Sequence, residues 1–177
     1  MRLLIIIVFY LYSCSNKPQI KTVDSNIVNS DTSEPEIDFR KEFIAYSGIP
    51  TKFDTSFIKD QINYRVHFRH YCMFDSALMI PSRYNIDTNL DFVTHNFRSE
   101  FVLLSNQDTV LNKLIEKVMF SSLLDSSVRK YGTLLFPYIF IERDSIEINY
   151  SITIPVTDVG IPVKVKFDLK GNYSILN

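Results

Sequence analysis

The side chains of this chain best suited to chemistry are three histidines and one internal cysteine: His67, His70, Cys72 and His95. Imidazole and thiolate together form a zinc ligand set. Spacing decides whether they can converge. Residues 62–68 alternate apolar and polar, as a half-buried strand does, so positions three apart face opposite sides. His70 then shares a face with Phe68 and Cys72, and His67 shares the other with Arg65, Arg69 and Tyr71. A site of His70, Cys72 and His95 is conceivable, but the close-spaced ligand pairs usual for zinc are missing, and no metal site is expected. Cys72 lies on an apolar face and is expected to be buried. His70 is expected as a hydrogen-bonded residue of the core or its rim. A cysteine nucleophile paired with His95 has no local support, and no catalytic residue is assigned.

Arg65, His67 and Arg69 form a basic row on one strand face. With Lys164 and Lys166 from another strand they could make a positive sheet face for an anionic group, such as a phosphate or a lipid headgroup. The plainer alternative is an ordinary solvated face balanced by Glu147, Asp168 and other acids. Asp75, Asp87, Asp91, Asp108, Asp125, Asp144 and Asp158 sit mostly at turns, where aspartate bonds to nearby backbone. The chain has no glycine-rich phosphate loop, no Gly-x-Ser-x-Gly elbow and no His-Glu-x-x-His helix. No cofactor is expected. The net charge of −1 argues against nucleic acid, which needs a phosphate-neutralising surface.

Strands must position these residues. Phenylalanine and tyrosine are abundant, at 14 and 10 residues, and tryptophan is missing, a composition that favours sheet. Period two recurs at 146–154 and 163–169, and Lys170-Gly171-Asn172 supplies a turn before a last short strand at 173–176. Residues 97–104 and 109–115 read as a hairpin around Ser105–Asp108. Residues 133–141 form a further strand, which Pro137 confines to an edge or a bulge because it cannot donate to a ladder. Phe120, Leu123, Leu124, Val128 and Tyr131 instead recur at helical spacing, which predicts one helix over 117–131 that ends before Gly132. A weaker helical turn is read in 38–46. The simplest assembly is α+β: mainly an antiparallel meander with one covering helix. A β-sandwich or a barrel is the alternative.

The beginning of the chain has a different character. Arg2 is followed by nine residues, Leu3 to Leu11, whose only polar group is the Tyr10 hydroxyl. As a helix they would span about 14 Å, short of the roughly 20 residues that cross a bilayer. A cation, an apolar run and a small residue before a cut make a signal peptide. Leu11-Tyr12-Ser13-Cys14 resembles a bacterial lipobox, with Tyr12 bulkier than usual. The resemblance implies a diacylglyceryl group on Cys14, cleavage before it and acylation, palmitate included, of the new amine. Each buried methylene contributes about 0.8 kcal/mol, so two or three chains anchor stably. Residues 15–36 are polar, hold two prolines and no aromatic residue, and read as a disordered tether with a reach of roughly 25 Å. The expected organisation is a signal peptide at 1–13, lipidated Cys14 and tether at 14–36, and a single globular domain at 37–177.

His70-Tyr71-Cys72, the run Asp91 to Phe97 and the run Tyr150 to Gly160 resemble a domain of unknown function found in small lipoproteins of Bacteroidetes-type bacteria. The resemblance covers about 53–177. It implies lineage and an exported location, and it carries no assigned activity. Asp75-Ser76-Ala77, Asp108-Thr109-Val110 and Asp144-Ser145-Ile146 resemble the O-glycosylation signal of exported proteins in that group, which makes Ser76, Thr109 and Ser145 the candidate acceptors.

These readings lead to a lipoprotein of the cell envelope, on the outer membrane and facing the periplasm, with surface exposure as the alternative. Its expected role is non-enzymatic binding of an envelope protein or an anionic ligand. The alternative is a small hydrolase or transferase with a site near His67, His70 or His95. A deep cleft with two or more convergent polar groups would favour the enzyme. A broad, shallow apolar patch would favour the interaction module.

Overall fold

In the computed structural model, residues 41–43 (backbone only) and 48–176 are described. The expected signal peptide (1–13), the expected lipidation site Cys14 and the expected tether lie outside these residues. Two four-stranded antiparallel sheets dominate. The first contains β2 (Thr51–Lys59), β3 (Ile62–Cys72), β6 (Phe97–Ser105) and β7 (Asp108–Glu116), in the order β2-β3-β6-β7. The second contains β8 (Thr133–Ile141), β9 (Ser145–Thr153), β10 (Gly160–Asp168) and β11 (Tyr173–Leu176), in the order β11-β10-β9-β8. Among the described residues neither sheet closes on itself, and no closed barrel is formed.

Alternation explains both sheets. In β3 the inward set Tyr64, Val66, Phe68 and His70 is buried while Asn63, Arg65 and Arg69 are exposed. In β9 and β10 the inward set is Ile146, Ile148, Tyr150, Ile152, Val163, Val165 and Phe167. Residues of both sheets enter one core, and Phe101 of β6 stacks on Phe167 of β10 with ring centroids 4.3 Å apart. Each fully buried side chain of this size contributes roughly 1.5–3 kcal/mol.

The turns are tight. Asp60 and Gln61 join β2 to β3, with φ of 49° and 67°. Asn106 and Gln107 join β6 to β7, with φ of 49° and 86°. Two consecutive left-handed residues match the twist of a two-residue hairpin. Asp168 accepts hydrogen bonds from the backbone of Lys170 (2.9 Å) and Asn172 (2.8 Å), which shapes the β10–β11 turn. Gly171 there has φ of 89°, and a Cβ on it would lie 3.0 Å from the Val110 carbonyl oxygen of β7.

Several expectations need correction. The first sheet is no simple meander: between β3 and β6 the chain leaves to form β4 (Leu78–Ile80) and β5 (Asp91–Thr94) of a three-stranded sheet. The third strand, β1 (Lys41–Phe43), pairs parallel with β5, so this part of 38–46 is extended and not helical. The helix over 117–131 is divided. A 3-10 turn at Lys117–Phe120 is followed by a further turn and then by α1 (Ser126–Tyr131), of six residues. The cause is Asp125, whose carboxylate accepts from the backbone of Ser127 (2.7 Å) and Val128 (2.9 Å) and so caps a new helix where the periodicity suggested continuity. Phe120, Leu124 and Val128 still reach the core, which accounts for the helical spacing.

Candidate functional site

The edge strands of the two sheets pair off on two sides. On one side, Lys113 of β7 donates to the Tyr173 hydroxyl of β11 at 3.2 Å and lies 4.4 Å from its ring centre. On the other, β2 and β8 border a cleft of about 240 Å³ lined by Ile49, Thr51, His70, Phe97, Leu135, Phe136 and Pro137. β8 opens this side. Its ladder with β9 is interrupted between Leu135 and Tyr138, and Phe136 takes a left-handed φ of 52°. Pro137, which the sequence placed at an edge or a bulge, sits at both. At the bulge and beyond it the strand exposes large apolar side chains: Phe136 (65%), Tyr138 (66%), Phe140 (51%) and, at its end, Ile141 (38%).

His70 forms the polar part of the cleft wall. It is buried on the inner face of β3, where its ring stacks on Phe97 at 5.4 Å. Its cross-strand partner is Ser99 of β6, whose Oγ lies 2.9 Å from His70 Nδ1. The Tyr150 hydroxyl of β9 donates to the same Ser99 oxygen at 3.0 Å. Burial lowers the His70 pKa to about 4, so the ring is neutral at neutral pH. The same desolvation holds the Tyr150 phenol far above its usual range. Cys72 is buried against Phe97 and Leu135 behind the cleft, and desolvation pushes its thiol up. Ser99 and Tyr150 were missed in the sequence. The available signal was a serine on the inward face that Phe97, Phe101 and Leu103 define.

The three histidines occupy separate surroundings. His67 lies on the outer face of β3 and contacts the Asp54 carboxylate of β2, its partner in register. His95 accepts a hydrogen bond at Nδ1 from the Ser76 backbone (2.9 Å), beside the Asp75 carboxylate that binds Asn96. Among the described residues no group of three or more histidine, cysteine or carboxylate side chains is placed to hold a metal ion. The Ser99–His70 contact resembles half of a nucleophilic pair, but Ser99 is fully buried and its oxygen already accepts from Tyr150.

Arg65, His67 and Arg69 do share the outer face of β3. Lys164 and Lys166 do not extend it, because they belong to the other sheet, where they pair with Glu147 (3.7 Å) and Glu142 (2.7 Å). Acids accompany the basic row as well: Asp54 meets His67, and Glu100 stands opposite Arg69 in register. A larger cleft of about 570 Å³ beside the β8–β9 and β10–β11 turns is lined by polar and charged groups, several of them already paired. Lys166 binds Glu142, Asp168 binds Asn172, and Asp144 pairs with Lys59. Of the candidate glycan acceptors, Ser76 and Thr109 are exposed, whereas Ser145 is buried and donates to Glu142 at 2.8 Å.

Compared with known proteins, the chain matches no family model and no curated protein. Among the described residues no helix is long and apolar enough to cross a membrane.

Proposed function

We propose that this chain is a lipid-anchored, non-enzymatic interaction module of the cell envelope, held to the outer membrane at Cys14 and engaging an envelope protein through edge strand β8. The lineage proposed with it is the small lipoproteins of Bacteroidetes-type bacteria. The observation that carries the reading is the exposed set Phe136, Tyr138, Phe140 and Ile141 on a strand that ends its sheet among the described residues. An unprotected apolar edge is an aggregation hazard, and exposed apolar patches mark contact sites. Support for a non-enzymatic role comes from Ser99: the hydroxyl paired with His70 is fully buried and already accepts from Tyr150. The anchor rests on the run Arg2 to Cys14.

Two measurements test this reading. Cys14→Ala is expected to move the chain from the membrane to the soluble fraction, and mass spectrometry of the native chain is expected to find acyl groups on Cys14. An intact, unacylated amino terminus on soluble material would overturn the anchor. Retention of a discrete envelope protein is expected to be lost in the double variant Tyr138→Ser, Phe140→Lys. Unchanged retention would overturn the role of β8.

A further inference from the structure

We propose that the cleft between β2 and β8 is a binding pocket for a small, neutral, mainly apolar molecule with one hydrogen-bond acceptor, a carbonyl above all, which His70 holds through Nε2–H.

The hydrogen-bond chain in the core fixes which ring nitrogen carries the proton. Tyr150 keeps its phenolic proton and donates it to Ser99 Oγ. Ser99 is fully buried, so its own hydroxyl hydrogen needs an acceptor, and among the described residues the one within reach is His70 Nδ1 at 2.9 Å. A buried donor left unmet costs about 1–3 kcal/mol, which favours the arrangement Tyr150 to Ser99 to His70 Nδ1. A neutral imidazole that accepts at Nδ1 must donate at Nε2. His70 is 5% exposed and lines the cleft, and among the described residues no hydrogen-bond partner stands at Nε2. The cleft therefore presents a donor that an incoming acceptor would satisfy.

The remaining walls set the rest of the ligand. Ile49, Phe97, Leu135, Phe136 and Pro137 are apolar, and Thr51 adds one hydroxyl. An apolar cavity of about 150 Å³ admits benzene. A cleft of about 240 Å³ thus has room for a ring with a short substituent. A charged ligand is disfavoured, since the neutral His70 ring offers no countercharge among these walls. The left-handed Phe136 adds a second observation. A non-glycine residue held there costs on the order of 1–3 kcal/mol, and such strain persists at ligand clamps. Here it sets Phe136 on the cleft lining, next to the rigid Pro137.

Acetophenone and ethylbenzene are matched probes, alike in shape and differing in the carbonyl. Each is titrated into the full chain in lipid nanodiscs, and the nitrogen-15 resonances of His70 are followed. The expected results are an Nε2–H tautomer in the free protein, a saturable shift with acetophenone, and binding about three- to tenfold tighter than that of ethylbenzene. His70→Phe is expected to erase the preference. Should that variant fail to fold, Leu135→Trp fills the cleft and is expected to abolish binding of both probes with the tautomer unchanged. An Nδ1–H tautomer, equal affinity for the two probes or no saturable shift would overturn the proposal. Tyr138 and Phe140 do not line the cleft, so Tyr138→Ser, Phe140→Lys is expected to leave acetophenone binding intact.

Discussion

The two open sides of the paired sheets are finished in opposite ways. Where β7 approaches β11, Gly171 permits backbone contact with Val110, and Lys113 lies against the Tyr173 ring while donating to its hydroxyl. Where β2 approaches β8, a bulge, a proline and a left-handed phenylalanine hold the edge apart, and a cleft runs inward to His70. One side uses its residues to close the fold. The other tolerates strain and apolar exposure that closure would have removed. Local rules broken without a local benefit are found where a protein contacts something else, and here they gather on one side.

The contrast can be broken at its centre, at either side, or at the surface. Phe101→Ala removes the ring that joins the sheets through Phe167 and is expected to cost about 3–5 kcal/mol, read as a fall in denaturation midpoint. A loss below about 1 kcal/mol would mean that the sheets do not share this contact.

His70→Gln sharpens the contrast through pH. Burial lowers the pKa of the native ring to about 4 from its ordinary 6.5, so on acidification the unfolded chain takes up a proton that the folded chain refuses. Stability is therefore expected to fall as pH drops from about 6.5 toward 4, by about 3 kcal/mol, with no contribution above that window. His70→Gln should flatten this part of the stability–pH curve. An unchanged slope would place the acid sensitivity elsewhere.

On the closed side, Gly171→Ala meets both a positive φ and the Val110 carbonyl, and about 1–2 kcal/mol of destabilisation is expected in the same assay. On the open side, Tyr138→Ser with Phe140→Lys is expected to change stability by less than about 0.5 kcal/mol. A larger loss would make the β8 row part of the core and erase the distinction between the two sides.

Much of this arrangement was legible in the residues, and the failures have physical causes. The alternation at 146–154 and 163–169 matches β9 and β10 because one face of each strand is buried. Pro137 marked the irregular edge because a missing backbone donor leaves few places in a sheet. Asp125 was hidden, since the apolar period runs through it while its carboxylate restarts the helix. β2 escaped notice because its inward Phe53, Thr55 and Phe57 are only half-buried at an edge, which blurs the alternation. The parallel pairing of β1 with β5 joins segments about 50 residues apart, beyond the reach of any local pattern. The cleft was the least legible part. His70 meets Ser99 through strand register and Tyr150 through packing of the other sheet, neither of which is encoded in the spacing around position 70.

The central claim is that β8 is the contact surface of this chain in the envelope. A photoreactive phenylalanine analogue in place of Phe140, compared with the same analogue in place of Asn112 on β7, tests it in intact cells. One discrete crosslinked species is expected from position 140 and none from position 112. No adduct at 140, or the same adducts from both positions, would contradict it.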